Sequence, residues 1–222
     1  MIEARKSIIF EKMFSLYHRQ LLAYSFERIY WHQTKTLPGI PAVYIANHSC
    51  WWDGLIFYLL NRTVLPKEAY IMMHESGLKQ YPYFKWLGAF SINRENPKDI
   101  LKSLQYAEGL LQQKKSVWIF PQGDEFHLES RPLYFQTGVL YLLEKCPHIP
   151  IVPISFYYSF GQKRKPEVYI AAGNHTFHTD LTGNSRKEKT AALEQICTYQ
   201  LDELKKLVIN KQLETFSILS QR

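Results

Sequence analysis

Ala42-Val43-Tyr44-Ile45-Ala46-Asn47-His48-Ser49-Cys50-Trp51-Trp52-Asp53 is the stretch from which the fold is read. Pro38, Gly39 and Pro41 punctuate the chain before it, and five apolar residues in a row then have the length of a buried strand. The run ends at Asn47-His48, and Asp53 follows five positions later, near the start of a helix. Further apolar runs at Tyr70–Met73, Ala89–Ile92, Val117–Phe120, Ile151–Phe156 and Val168–Ala171 also have strand length, with helical patterns between them. The alternation predicts an α/β domain: a mixed, largely parallel central sheet flanked by helices.

Two helices carry start signals. Asn96-Pro97-Lys98-Asp99 supplies an N-cap, a first-position Pro and an early acid ahead of Ile100, Leu104, Ala107 and Leu111. Ser185-Arg186-Lys187-Glu188 fits a capping box, and Leu193, Cys197, Leu201, Leu204 and Val208 continue it as one apolar stripe. At the other end, Ser7 to about Tyr30 lacks Pro and Gly and spaces Phe10, Phe14, Tyr17, Leu21 and Tyr24 by fours and threes. This amphipathic helix, with Lys12, Arg19 and Arg28 among its polar positions, either packs on the domain or lies in a membrane interface. The expected layout is a helical segment over 1–35, a core over 40–175, a loop from Gly173 to Asn184 and a closing helix over 184–210. The tail after Asn210 is unassigned.

At 222 residues and 46% apolar content the chain suits one domain. Its formal charge of +7 favours anionic partners such as phospholipid surfaces, phosphorylated metabolites or nucleic acid. The 27 Lys and Arg are dispersed and join no nucleic-acid motif, so no nucleic-acid partner is expected. No apolar run approaches a membrane span and no signal-peptide core is visible, which predicts a cytoplasmic protein, peripheral on the inner face of the membrane. Cys50, Cys146 and Cys197 form neither a disulfide framework nor a metal-ligand spacing. His74, His127, His148, His175 and His178 likewise join no ligand cluster, so no metal is expected.

His48 and Asp53 are the candidate catalytic pair. A carboxylate on imidazole Nδ1 fixes the tautomer and leaves Nε2 to take a proton from a hydroxyl, which then attacks a carbonyl without a protein nucleophile. Taken alone, the pair is a weak signal, and a capped helix start with a satisfied His is the commoner reading. Three later blocks accompany it: Gly88-Ala89-Phe90-Ser91-Ile92-Asn93-Arg94, Phe120-Pro121-Gln122-Gly123 and Val152-Pro153-Ile154.

In their order and residues these blocks resemble the motifs of the glycerolipid acyltransferases: N-H-x-x-x-x-D, a block ending in an acceptor-binding Arg, F-P-E-G, and a V-P-hydrophobic strand. The resemblance spans roughly residues 40 to 175. It implies transfer of a fatty acyl group from acyl-CoA or acyl carrier protein, as co-substrate and without a cofactor, to a hydroxyl of a lysophospholipid or glycerolipid at a membrane surface. It makes His48 and Asp53 catalytic and places Arg94, Phe120, Pro121, Gln122 and Gly123 against substrate, with Asn47, Asn93, Arg131 and Pro153 in support. As residues alone, Arg94 suits a phosphate or a surface ion pair, the turn at Gly123 permits close backbone approach, and Pro153 points to an edge, a bulge or a pocket floor.

The third block departs from the family, with Gln122 for Glu and Asp124-Glu125 for Thr-Arg. The change predicts altered acceptor recognition, with a neutral glycolipid or glycosylated carotenoid as the alternative acceptor and Arg131 as a substitute positive charge. Hydrolysis of the thioester and non-catalytic lipid binding are the remaining alternatives.

Overall fold

The structure, a computed structural model, describes residues 1–33, 36–39, 41–65 and 68–221. Positions 34, 35 and 40, where expected segment boundaries fall, lie outside that set. The elements run α1 (Ile8–Ser25), β1 (Arg28–Gln33), β2 (Val43–Ala46), α2 (Trp52–Thr63), β3 (Ala69–His74), α3 (Glu75–Gln80), β4 (Ala89–Ile92), α4 (Pro97–Gln112), β5 (Ser116–Ile119), α5 (Gly138–Lys145), β6 (Ile151–Phe160), β7 (Pro166–Ala172), α6 (Arg186–Ile209) and β8 (Ser217–Gln221). Short 3-10 turns lie at Pro82–Leu87 and His178–Asp180.

The strands form one sheet in the order β4-β3-β5-β2-β6-β7-β1-β8. Pairing is parallel except for β6 with β7 and β1 with β8. The α/β class with a mostly parallel mixed sheet is therefore as expected.

β2 lies inside the sheet and all four of its residues are buried, because helices cover both faces. Successive side chains point to opposite faces. Val43 and Ile45 pack with Leu104 of α4, Leu143 of α5 and Leu201 of α6, whereas Tyr44 and Ala46 pack with Ile56 and Leu60 of α2 and Leu22 of α1. Each fully buried aliphatic side chain contributes roughly 1.5–3 kcal/mol. The two expected caps form: Asn96 accepts from the Lys98 N–H at the start of α4, and Ser185 and Glu188 close a reciprocal box at α6.

Two expectations need correction, and the unassigned tail finds its place. The first helix stops at Ser25 rather than near Tyr30, because Phe26 turns extended and Arg28–Gln33 joins the sheet beside β7. Ile29 and Trp31 enter the core cluster under α2 while Tyr30 enters another with Tyr169, which is a strand period of two. The tail after Asn210 forms β8, which pairs along β1. Pro153 lies on interior strand β6 opposite Ile45, not on an edge. It is tolerated there because the β6–β7 ladder starts one residue later, at Ile154 opposite Ala172, so only the Pro153 carbonyl is used, accepting from Gly173 N–H at 2.9 Å.

Candidate active site

β2 ends at Ala46, and the next side chain continues the sheet by other means. Asn47 Nδ2 donates to Phe156 O at 3.0 Å and its Oδ1 accepts from Phe156 N–H at 2.8 Å, a side-chain copy of a ladder pair. This fixes the turn carrying His48 to β6. At the start of α2, fully buried Asp53 faces back into that turn. Its Oδ2 accepts from His48 Nδ1 at 2.9 Å and from the N–H groups of Ser49 and Cys50 at 2.6 and 3.1 Å. Its Oδ1 accepts from the Tyr158 hydroxyl at 2.6 Å and, at 3.6 Å, from Cys50 Sγ. A buried carboxylate needs such donors, and a helix N-terminus favours its sign.

Because Asp53 accepts at Nδ1, the imidazole proton resides there and Nε2 presents a lone pair. The Phe120 ring stacks on His48 at 4.3 Å between centroids and 18°. The His48 main chain is held at both ends: its N–H donates to Gln122 Oε1 at 2.6 Å, and its carbonyl accepts from Phe126 N–H at 3.0 Å. Nε2 has Glu125 Oε1 3.9 Å away.

A cavity of about 810 Å³ opens beside Nε2. Arg94, Glu125 and Trp51 stand at its more exposed end, and Leu55, Leu87, Leu104 and Val139 line its buried part. Phe120, Pro121 and Gly123 also border it. Gly123 has φ +81°, and a Cβ there would lie 2.8 Å from Arg94 Nη1, so the turn needs Gly both for its backbone and for the guanidinium packed on it. Arg94 Nη1 in turn donates to Asp124 Oδ2 at 2.7 Å.

The structure thus brings His48, Asp53, Arg94, Phe120, Pro121 and Gly123 together and places four others elsewhere. Gln122 is buried and spends its oxygen on the His48 main chain, so it clamps the catalytic turn instead of meeting an acceptor. An amide keeps the acceptor oxygen that a Glu would offer at this point, so the substitution leaves the clamp intact. Asn93 accepts from Glu95 N–H in a local turn. Arg131 pairs with Asp202 of α6 and with the carbonyls of Leu128 and Ser130, so it does not supply the missing positive charge at the cavity. Pro153 borders a separate groove of about 380 Å³ beside α6.

Tyr158 is the site residue that sequence reading missed. Burial and the adjacent Asp53 push its phenol well above the ordinary range, so it remains a donor. The Cys50 thiol is pushed up to about 11, by burial first and by Asp53 next, and is protonated at neutral pH. Ser49 Oγ is buried and makes no hydrogen bond. Neither residue is placed as a nucleophile activated by His48. His74 caps α3 by accepting from Ser76 N–H, and no group of three or more His, Cys, Asp or Glu among the described residues can hold a metal.

A buried carboxylate at the start of α2, an imidazole oriented by it just past β2 and a largely apolar cavity beside the free nitrogen make up a site fit for group transfer. The family model described as Acyltransferase matches residues 28–157, and the chain belongs to that family. It is 32% identical over 135 residues to 1-acyl-sn-glycerol-3-phosphate acyltransferase alpha of Homo sapiens, and 31% to that of Mus musculus. Each match covers 58% of this chain and 45% of the relative, so the shared part is under half the relatives' length. Among solved structures, the 1-acyl-sn-glycerophosphate (LPA) acyltransferase PlsC from Thermotoga maritima superposes with a TM-score of 0.59 at 16% identity, over 89% of this chain and 79% of that one. The two share a fold.

Proposed function

We propose that the chain transfers a fatty acyl group from a thioester, acyl-CoA or acyl carrier protein, to a hydroxyl of a lysophospholipid or other glycerolipid, a reaction of the 1-acyl-glycerol-3-phosphate acyltransferase type. The observation that carries this is His48 Nδ1 held by buried Asp53, with Nε2 beside an apolar cavity. Nε2 takes the acceptor proton as the acceptor oxygen attacks the thioester carbonyl. The tetrahedral intermediate then collapses, the C–S bond breaks, and the imidazolium returns the proton to the leaving thiolate. Asp53 stabilises the imidazolium between the two steps. The cavity buries the acyl chain, and no covalent enzyme intermediate is required.

The same reading places the protein on the inner face of the cell membrane. α1 leaves Ile8, Ile9, Met13, Leu16, Tyr17 and Tyr24 largely exposed, a contiguous apolar surface unusual for a face turned to water. No helix among the described residues is long and apolar enough to cross a bilayer. The exposed face of α1 is what supports attachment at the membrane surface.

The test is transfer of a labelled long-chain acyl group from each donor to a panel of lysolipids and glycolipids, with His48→Ala as control. Labelled lipid lost in the variant supports the proposal. Free acid as the sole His48-dependent product would replace transfer by hydrolysis, and no turnover with retained lipid binding would leave a binding module.

A further inference from the structure

A guanidinium at the mouth of an acyltransferase cavity suits a phosphate only while its donors are available. Arg94 meets that condition only in part, because its Nη1 edge is taken. Its Nη1 donates to Asp124 Oδ2 at 2.7 Å, and the rest of the group rests on the Gly123 backbone, where there is no room for even a Cβ. Around this pair the mouth is acidic. Glu125, half-exposed, stands 3.9 Å from His48 Nε2, where the acceptor hydroxyl must come, and Glu95 also borders the cavity. Arg131 is committed to Asp202. The cavity lining thus has Glu95 and Glu125 against the single guanidinium of Arg94, which Asp124 already pairs.

We propose that Asp124, through its ion pair with Arg94, and Glu125 beside His48 are the specificity residues for the acceptor, and that they select a lipid whose hydroxyl-bearing end is an uncharged polyol or sugar. This rests on the acyl-transfer reading and narrows its acceptor to a glycerolipid or glycolipid without a phosphate monoester. A phosphate monoester brings a charge of about −1.5 to −2 at neutral pH. To use the Nη1 edge of Arg94 it must displace Asp124, and at any edge it must bring its charge up to Asp124 and Glu125. A polyol approaches the same carboxylates without a charge, since its hydroxyls can donate to Asp124 and Glu125 and accept from Arg94 without breaking the pair. Neutralising Asp124 frees the guanidinium, so the acidic turn, and not the catalytic pair, excludes the phosphate.

The experiment compares 1-acyl-glycerol-3-phosphate with a monoacylglycerol and an alkyl glucoside in the wild type, Asp124→Asn, Glu125→Gln and the double variant. Two readouts are taken: kcat/KM for labelled acyl transfer, and binding of each acceptor followed by the fluorescence of Trp51 at the mouth against a Trp51→Phe reference. The expected result is wild-type preference for the uncharged acceptors, with the ratio of phosphate to neutral acceptor rising at least tenfold in Asp124→Asn and further in the double variant, in both readouts. A wild type that prefers the phosphate acceptor, with a ratio unchanged or lowered in Asp124→Asn, overturns the inference while leaving acyl transfer standing. Binding that follows the expected charge order without acyl transfer to any acceptor supports the selectivity and refutes the transferase reading.

Discussion

Replacing His48 by Ala removes the base and leaves a small gap beside Phe120. The expected loss is roughly 10²–10⁴-fold in kcat, with little change in thermal unfolding, measured on the same preparation. Asp53→Asn differs, since an amide placed among groups that all donate must turn its NH₂ toward at least one of them. It should lower both activity and stability, the latter by about 1–3 kcal/mol, read by denaturant unfolding. Tyr158→Phe isolates positioning from chemistry. The phenol draws on the Asp53 charge from the side opposite His48. Without it Asp53 loses a donor and orients the imidazole less firmly, so kcat should fall while KM changes little. An unchanged kcat would make Tyr158 a packing residue only.

At the scale of elements, α1 and α2 are joined by a histidine. His18 is buried, its Nε2 donates to Leu55 O at 2.9 Å, and its ring contacts Phe14 and Tyr58. Burial depresses its pKa to about 4 against an ordinary 6.5, with the Leu55 carbonyl opposing only in part. The folded state therefore binds fewer protons than the unfolded chain between those values. Stability is full above about pH 6.5 and falls as pH drops towards 4, by up to about 3 kcal/mol. His18→Phe should flatten the dependence of Tm on pH in that window. The outer face of the same helix carries Met13 and Leu16. Met13→Asp with Leu16→Asp should reduce flotation with anionic vesicles and leave Tm within a few degrees, since neither side chain is buried. Unaltered flotation would place membrane contact elsewhere.

Across the whole molecule, what the sequence discloses depends on how local the cause is. β2 to β7 are visible as apolar runs because covered strands need apolar residues on both faces. α4 and α6 are visible because their caps act within four residues. β1 is hidden because Ile29, Tyr30 and Trp31 follow an amphipathic helix without a breaker, and only a partner strand 139 residues further on, Val168 for Ile29, gives them their alternation. β8 needs β1 in the same way. In the site, His48 and Asp53 are readable from a spacing of five, whereas Tyr158 reaches Asp53 across 105 positions, Gln122 reaches the His48 main chain across 74 and Arg131 reaches Asp202 across 71. No spacing rule covers contacts of that separation, so the direction in which Gln122 and Arg131 point was not legible.

The turn after β5 divides its labour along its length. Its first half, Phe120 and Gln122, grips the imidazole ring and main chain of His48, and its second half places Asp124 on Arg94 and Glu125 at the cavity beside His48 Nε2. Grip and address are neighbours in the chain but separate in what they touch. On the proposed assignment, two adjacent residues could be exchanged to serve a different lipid without retooling the chemistry, and a designer seeking a new acceptor would have the same short handle.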